Sequence, residues 1–464
     1  MTALSTDADE RLSPYDGLVY QPRRLMDGQS PHAVALAALA RNGRLAIYAG
    51  AGLSRAQPTE LPSGAEVAHR TYTRLATLFP SMPACDENDL TSVANSVASV
   101  AGGLSALRET VVHVAEFTSA TPNYGHKVLG FLLLEGAVNV MTTNWDDCIE
   151  RGGLPERLQV TITAQERVQV TVRTLLKVHG CASRPPTLLI TSAEVDAPPN
   201  WVRIEIGARL TDSHVVFVGI GDVAAYVRLR ISEAVAAVGG ADHVRVVSPT
   251  ISTDWANTEW ASVLPTLAEE HRIEMLADEF LDMLAGAYIR QFLLDMDIAL
   301  ADNVPLQAAL QTVVQPLEQL DALAVLEWLR SIAVPRNTGV SVLASEHTAR
   351  VLVALGILAE GVLAMQKGGA ARTPTQRFQL LVALGLQSAS RMRREADNRL
   401  AAFLADGGHP DEQPTFLISC PFPQTAPLAT LPGDLVGTAP NDDVLSGPLN
   451  VSAVLMNATE VIGG

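Results

Sequence analysis

Lysine is nearly absent from this chain of 464 residues: Lys127, Lys177 and Lys367 are the whole complement, and arginine supplies the other thirty basic side chains. Against 50 acidic residues the 33 basic ones leave a net charge of −17. Binding to a nucleic-acid backbone needs clustered cations, so direct nucleic-acid recognition is disfavoured. The preference for arginine reads as genomic base composition. Cysteine is scarce as well. Cys85, Cys148, Cys181 and Cys420 stand 63, 33 and 239 residues apart, with no Cys-x-x-Cys pair, so neither a zinc ribbon nor a disulfide framework is suggested. No stretch reaches the ~18 consecutive apolar residues of a membrane-spanning helix. The most apolar run, Val351 to Met365, is interrupted by Glu360. Met1 to Asp16 carries acids early and lacks the basic-then-apolar layout of a signal peptide. These absences point to a soluble, cytoplasmic protein with reduced thiols.

Apolar residues are plentiful, at 48%, and charged ones are only 18%. Such a chain buries enough surface to fold, and its length suits two to four domains. Up to about residue 290, short β-branched runs alternate with helical patterns, the grammar of βαβ units. Strands are expected at Arg44 to Ala49, Ala137 to Met141, Leu175 to Val178, Val215 to Val218 and Val244 to Val247. Helices are expected between them, among others at Ala65 to Phe79, Asn123 to Glu135 and Val223 to Val238.

Beyond residue 291 the pattern turns helical. Leu306, Leu310, Val313, Val314 and Leu317 recur at three-to-four spacing, and Pro316 is expected to start a second helix reaching about Ile332. A break at Pro335 and Asn337-Thr338-Gly339 precedes a third helix to Met365, closed by Gly368-Gly369. Thr373-Pro374-Thr375-Gln376 resembles a capping box opening a last helix to Asp406. The expected organisation is an arm (1–30), a parallel α/β domain of Rossmann type with helices on both faces (31–290), a mainly α-helical domain (291–408) and a Pro/Gly-rich tail (409–464). Short β-like runs mark the tail at Phe416 to Ser419 and Val451 to Met456.

Four polar motifs fall at the carboxyl ends of expected strands, where open α/β sheets place their ligands. Gly50-Ala51-Gly52-Leu53-Ser54 follows the first strand. Its glycines let backbone N–H groups approach a diphosphate, although the same residues also make a tight strand-to-helix turn. Thr142-Thr143-Asn144-Trp145-Asp146-Asp147 follows the second, and Asn144 or Asp146 equally suits the N-cap of a short helix ending near Gly152. Lys177-Val178-His179-Gly180 follows the third, with a histidine suited to proton transfer near neutrality. Gly219-Ile220-Gly221-Asp222 follows the fourth, a small-residue turn that equally suits a helix cap. No His-Glu-x-x-His or comparable spacing supports a metal.

In this order the motifs resemble the sirtuin family, over roughly Leu36 to Leu284. Pro62-Ser63-Gly64, Pro122 and His126 are smaller echoes. The resemblance implies NAD as substrate. Gly50, Ala51, Gly52 and Ser54 would hold its diphosphate, and Thr143, Asn144 and Asp146 would line the nicotinamide-ribose pocket. His179 would be the catalytic base, with Asn144 positioning water, while Gly219, Gly221 and Asp222 would approach the adenosine half. The four-cysteine zinc module of protein deacylases is missing, since only Cys181 lies between the histidine and later glycine motifs. The Gly-x-Pro-x-Phe-Arg run of deacylases is missing too. The Thr-Thr-Asn-Trp-Asp form is more similar to sirtuin-like NAD hydrolases of bacterial anti-phage defence.

The resemblance thus implies an NAD hydrolase that depletes NAD and is gated. A deacylase or ADP-ribosyltransferase, and a non-catalytic scaffold for NAD or ADP-ribose, are the alternatives. A homo-oligomer is expected, built through the helical region and tail, with an activating partner such as a HerA-type ATPase, a short Argonaute or a phage protein. Arg391, Arg393 and Arg394 are too few to argue for nucleic acid.

Overall fold

Every residue of strand β1 (Leu45–Ala49) is buried, as happens at the centre of a parallel sheet covered on both faces. The computed structural model describes residues 19–28, 30–153, 158–169, 173–221, 225–252, 255–302 and 304–333, isolated positions at 341, 343, 348 and 352, and five strand segments between 380 and 457. The chain divides into two compact units, one centred on 30–285 and the other on 286–464 together with 23–29.

The first unit holds a seven-stranded parallel sheet. Besides β1 it contains β2 (Asn139–Thr142), β3 (Gln159–Thr161), β4 (Thr174–Lys177), β5 (His214–Val218), β6 (Val244–Val247) and β7 (Arg272–Ile273). Their order is β3-β4-β2-β1-β5-β6-β7. The chain leaves β1 toward β2 on one side and returns to β5 on the other, so the turns after these three strands meet at the switch in strand order. Register is fixed by pairs such as Ile47 with Val140 and with Val216. The five expected strands are present. The edge strands β3 and β7 are additional, three and two residues long.

Alternate sheet residues Ala46, Tyr48, Met141, Leu176, Val215, Phe217, Val244 and Val246 pack against Trp201, Ile206, Val227, Ile231 and Trp260. Those residues come from α8 (Asn200–Asp212), α9 (Ala225–Val238) and α10 (Glu259–Val263). A second apolar cluster joins α2 (Gly64–Leu78), α3 (Leu90–Ala98) and α4 (Gly103–Ala115) through Val67, Leu75, Val93, Val97, Leu107 and Val111. Helix α2 begins where the sequence suggests, because Ser63 and Glu66 form a reciprocal capping box. Helix α5 (Tyr124–Glu135) uses the same device with Asn123 and His126.

The second unit contains α12 (Val304–Leu317), α13 (Ala322–Ala333) and the later part of α11 (Ala277–Ala299). Two expectations are corrected here. Pro316 does not open a helix; it sits in the last turn of α12. The next helix starts at Ala322, where the Asp321 carboxylate takes the Ala324 N–H, a standard way to satisfy an N-terminal amide. The helix expected from Pro374 to Asp406 is contradicted by β8 (Leu380–Leu384). Leu-Leu-Val-Ala-Leu is apolar throughout, and periodicity alone does not separate strand from helix in so short a run. Strand β8 joins β9 (Phe416–Cys420), β10 (Leu435–Val436), β11 (Val444–Leu445) and β12 (Ala453–Asn457) in the order β10-β8-β9-β12-β11. Strands β9 and β12 fall on the two β-like runs of the tail. The arginine cluster at 391–394, the break at 335–339 and nearly all of the Val351 to Met365 run lie outside the described residues.

Candidate functional site

The turns after β1 and β5 touch each other through backbone. A Cβ on Gly219, whose φ is +64°, would lie 2.7 Å from Leu53 N. One on Gly52 would lie 2.8 Å from Gly219 Cα, and one on Gly50 would lie 2.7 Å from Gly219 O. Such contacts admit only glycine. The Gly50 N–H donates to Val218 O (2.9 Å) and the Gly52 N–H to Gly219 O (2.8 Å). These two amides are therefore committed within the protein, and the glycines shape the turn. Ala51 is exposed beside them. Gly221 is exposed too, and Asp222 lies outside the described residues.

Ser54 is buried at the end of this turn and is the hub of a hydrogen-bond web. Asn123 N–H donates to His126 Nδ1 (3.3 Å). The proton of the neutral imidazole therefore sits on Nε2, which donates to Ser54 Oγ (3.1 Å). Asn144 Nδ2 donates to the same oxygen (3.0 Å), and Ser54 Oγ donates to Asp146 Oδ2 (2.9 Å). The hydroxyl has thus used its one donor and both acceptors. Ser54, His126 and Asp146 superficially suggest a nucleophile triad, but the polarity is reversed. His126 gives a proton to Ser54 and takes none, so it does not activate the hydroxyl for attack.

Asn144 has one atom left over. Its orientation is settled by Ser54, whose proton is already directed to Asp146, so the amide must present Nδ2 there. The Oδ1 acceptor is buried and has no partner, in a residue only 6% exposed. Leaving such an acceptor unmet costs about 1–3 kcal/mol. Asn144 is held in place by the backbone, since its N–H donates to Thr142 Oγ1 (3.0 Å), which in turn donates to Ala49 O (3.0 Å). Asp147, not Asn144 or Asp146, is the N-cap of the following helix, but Asp146 also serves its first turn. Its Oδ1 takes the Cys148 N–H (3.0 Å) at the start of α6 (Cys148–Gly152).

Burial sets the charges. It lowers His126 to about 4, with Asp146 opposing and Lys177 and Arg151 assisting. It likewise lowers His179 to about 4. Both imidazoles are neutral at pH 7. Burial alone would raise the Asp146 carboxyl, but His126, Lys177 and hydrogen bonds from the Cys148 N–H and Ser54 hold it below its usual range. Lys177, fully buried behind it, donates to the Asp146 carbonyl and pairs with Glu150 Oε1 (3.0 Å). Burial favours its neutral form, yet Glu150, Cys181 and Asp146 outweigh that and keep it protonated.

A cavity of about 250 Å³ opens over this web, lined by Ala51, Ser54, Thr143, Asn144, Asp146 and His179 from the expected set. Gly50, Gly52, Gly219 and Gly221 are not in its wall; Ile220 is. Leu61, Leu90, Phe117 and Trp145 contribute apolar lining. Trp145 stands edge-on to Phe117, 5.8 Å between centroids, and its Nε1–H donates to His179 O (3.1 Å). Gly180 lets the chain turn away beneath, for a Cβ there would meet Thr187 O at 2.2 Å. His126, Asp146 and Cys148 place ligand atoms within 4.8 Å of one another. Both His126 nitrogens are hydrogen-bonded, and burial, then Asp146, push the Cys148 thiol far up, so the donor set does not suit a metal.

Sequence reasoning assigned no role to His126, Lys177 or Phe117. The Asn123-x-x-His126 capping pattern was the available signal for the first. A lone lysine on an otherwise apolar strand in a lysine-poor chain was the signal for the second.

No protein-family model matches the chain, and no curated relative does. Among solved structures it is similar to a mutant Sir2 homologue in complex with ADP-ribose, at 14% identity over 55% of this chain and 96% of that one, with a TM-score of 0.34. It is similar also to a Sir2 homologue–NAD complex (16% identity, 57% and 96% covered, TM-score 0.34). A third is a Sir2 enzyme described for its mechanism and regulation (15%, 56% and 99%, TM-score 0.33). Likeness at this level transfers neither ligand nor activity.

Proposed function

We propose that the protein is a sirtuin-like NAD hydrolase, cleaving the nicotinamide–ribose bond with water to give nicotinamide, ADP-ribose and a proton. One observation carries the reading: the buried, unpartnered Asn144 Oδ1 beside an ionised Asp146 in a cavity that His179 also lines. An acceptor so placed suits the O–H of an attacking water or a ribose hydroxyl. The leaving nicotinamide needs no acid, because its ring nitrogen is already cationic. Positive charge develops on the ribosyl carbon, as in other glycosyl transfers. The Asp146 carboxylate stabilises that charge, held ionised for the purpose by Lys177 and the hydrogen bonds around it.

His179, neutral at pH 7, accepts the proton of the water. Thr143, whose N–H donates to the Ala49 carbonyl (3.2 Å), would line the ribose side of the pocket. With the Gly50 and Gly52 amides committed, Ala51 is the turn residue placed to meet the diphosphate. Gly219 and Gly221, with Asp222, would approach the adenosine half. The missing zinc module and the Thr-Thr-Asn-Trp-Asp form support the anti-phage hydrolase subtype. An NAD-depleting enzyme in the cytoplasm would need gating, by oligomerisation through the second unit and by an activating partner.

The apolar lining of Leu61, Phe117 and Trp145 favours one second reading, an acyl-lysine acceptor and hence a deacylase. Incubation with NAD, with and without an acyl-lysine peptide, separates the two. Free nicotinamide and ADP-ribose without peptide support hydrolysis, and strict dependence on peptide supports transfer.

A further inference from the structure

The opposite edge of the same sheet gathers a second group of polar side chains from distant parts of the sequence. Arg44 precedes β1, His214 opens β5, His243 precedes β6 and His271 precedes β7. Parallel register aligns them in a row: His214 N–H donates to Arg44 O (2.8 Å), and Val215 N–H to His243 O (2.8 Å). Arg44, His214 and His243 line a separate cavity of about 240 Å³, together with Ser213, Asp212 and Asp242.

His243 is only 7% exposed, and neither of its ring nitrogens has a hydrogen-bond partner. The Nδ1 atoms of His214 and His271 are likewise buried and unpartnered. Arg44 is exposed and forms no ion pair with a described residue. Four groups able to donate to an anion thus converge on one edge of a chain whose net charge is −17. Among the described residues no three ligand atoms here lie within 4.8 Å of one another, and Arg44 in the wall repels a cation, so a metal fits poorly.

We propose that this cavity binds a phosphate-type oxyanion, with Arg44 as its fixed charge and His243 and His214 as hydrogen-bond donors. The rim acids Asp212 and Asp242 are exposed and would accept from the hydroxyls of a sugar phosphate. Binding is coupled to protonation. Burial, then Arg245, Arg44, His243 and His271, lower His214. Burial and Arg245 lower His243; Asp242 and the Gly240 backbone act against them, although the latter falls short of hydrogen-bond geometry. Burial, Arg245 and His32 lower His271, against Glu270 and Asp242. A bound anion raises His214 and His243, which line the cavity, so protons are taken up on binding and affinity grows as pH falls.

Calorimetry on the full chain tests this with sulfate, whose charge is constant from about pH 6 to about pH 8, across the histidine range, at fixed ionic strength. Sulfate should bind several-fold more tightly at the lower pH. Arg44→Met, at an exposed position, should weaken it roughly tenfold, and His243→Gln should flatten the pH dependence. Inorganic phosphate and ribose 5-phosphate then identify the source: tighter binding of the ester assigns a phosphorylated metabolite, and equal binding assigns free phosphate. Equal affinity in wild type and Arg44→Met means an adventitious ion only and overturns the proposal. So does tighter binding at the higher pH, or binding of zinc in place of the anions.

Discussion

At the carboxyl edge of the sheet the fully buried His126 has both ring nitrogens committed, to Ser54 and to the Asn123 amide, whereas at the amino edge His243, also buried though less deeply, has neither committed. The two rings share a chemistry and differ in what surrounds them. His126 sits inside a web completed by backbone caps, which leaves Asn144 Oδ1 as the open acceptor. On the proposed reading that arrangement would hold a ligand to within the tolerance of one hydrogen bond, as bond cleavage requires. His243 faces a polar cavity whose other members, Arg44 and Asp242, are exposed and free to turn. That arrangement suits reversible binding whose strength follows pH. On the two proposals the same sheet would offer one edge organised for chemistry and one organised for occupancy.

The sharpest way to break this contrast is to remove the open acceptor. Asn144→Ala should lower NAD turnover by ~10²–10⁴-fold, the range for losing a positioned group or a base. Arg44→Met should leave turnover within about twofold, a change close to that expected of a surface substitution. Steady-state nicotinamide release compares the two, and a similar loss in both would erase the distinction between the edges.

Next in size is the buried charge behind Asp146. Lys177→Met leaves Glu150 buried without its partner and should destabilise the fold by about 3–5 kcal/mol. Adding Glu150→Leu should restore most of that stability while turnover stays low, because Asp146 still lacks its nearby cation. Urea titration reads the first effect; recovery of turnover in the double variant would argue against an electrostatic role for Lys177.

Gly219→Ala comes third. It places a methyl against Leu53 N at a positive φ, which should cost about 1–3 kcal/mol and displace the turn that carries Ser54. Thermal melting together with NAD binding checks it, and an unchanged pair of values would show that the turns do not need their close approach.

A further effect is one of pH. His126 and His179 ionise in the folded protein only near pH 4, against about 6.5 unfolded. The unfolded chain therefore binds more protons throughout that window, and stability is lost as pH falls from 6.5 toward 4. His214, His243 and His271, also lowered, add to the loss. Phosphate should restore only the share belonging to the amino edge, and should do so less in Arg44→Met. Melting temperatures over this range, with and without phosphate, check the sign.

The carboxyl edge was largely legible in the sequence because each of its motifs directly follows an apolar run. The turn at 50–54, Asn144 with Asp146, and His179 could be read as strand-end residues before any geometry. His126 was not so read, since its partner Ser54 is 72 residues away and its local pattern is that of a helix cap. Strands β3 and β7 escaped because Gln159-Val160-Thr161 and Arg272-Ile273 are too short and too polar to show a period. Leu380 to Leu384 misled for the opposite reason, being apolar at every position. The amino edge was invisible. Arg44, His214, His243 and His271 belong to no motif, and only the register of four parallel strands brings them together.

The most direct measurement is product analysis of NAD incubated with the wild-type chain and with Asn144→Ala, each first shown by calorimetry to bind NAD. With an activating partner present, the account predicts nicotinamide and ADP-ribose in equal amounts from the wild type without any peptide, and almost none from the variant. Equal yields from both proteins, or a wild type that does not bind NAD, would contradict it.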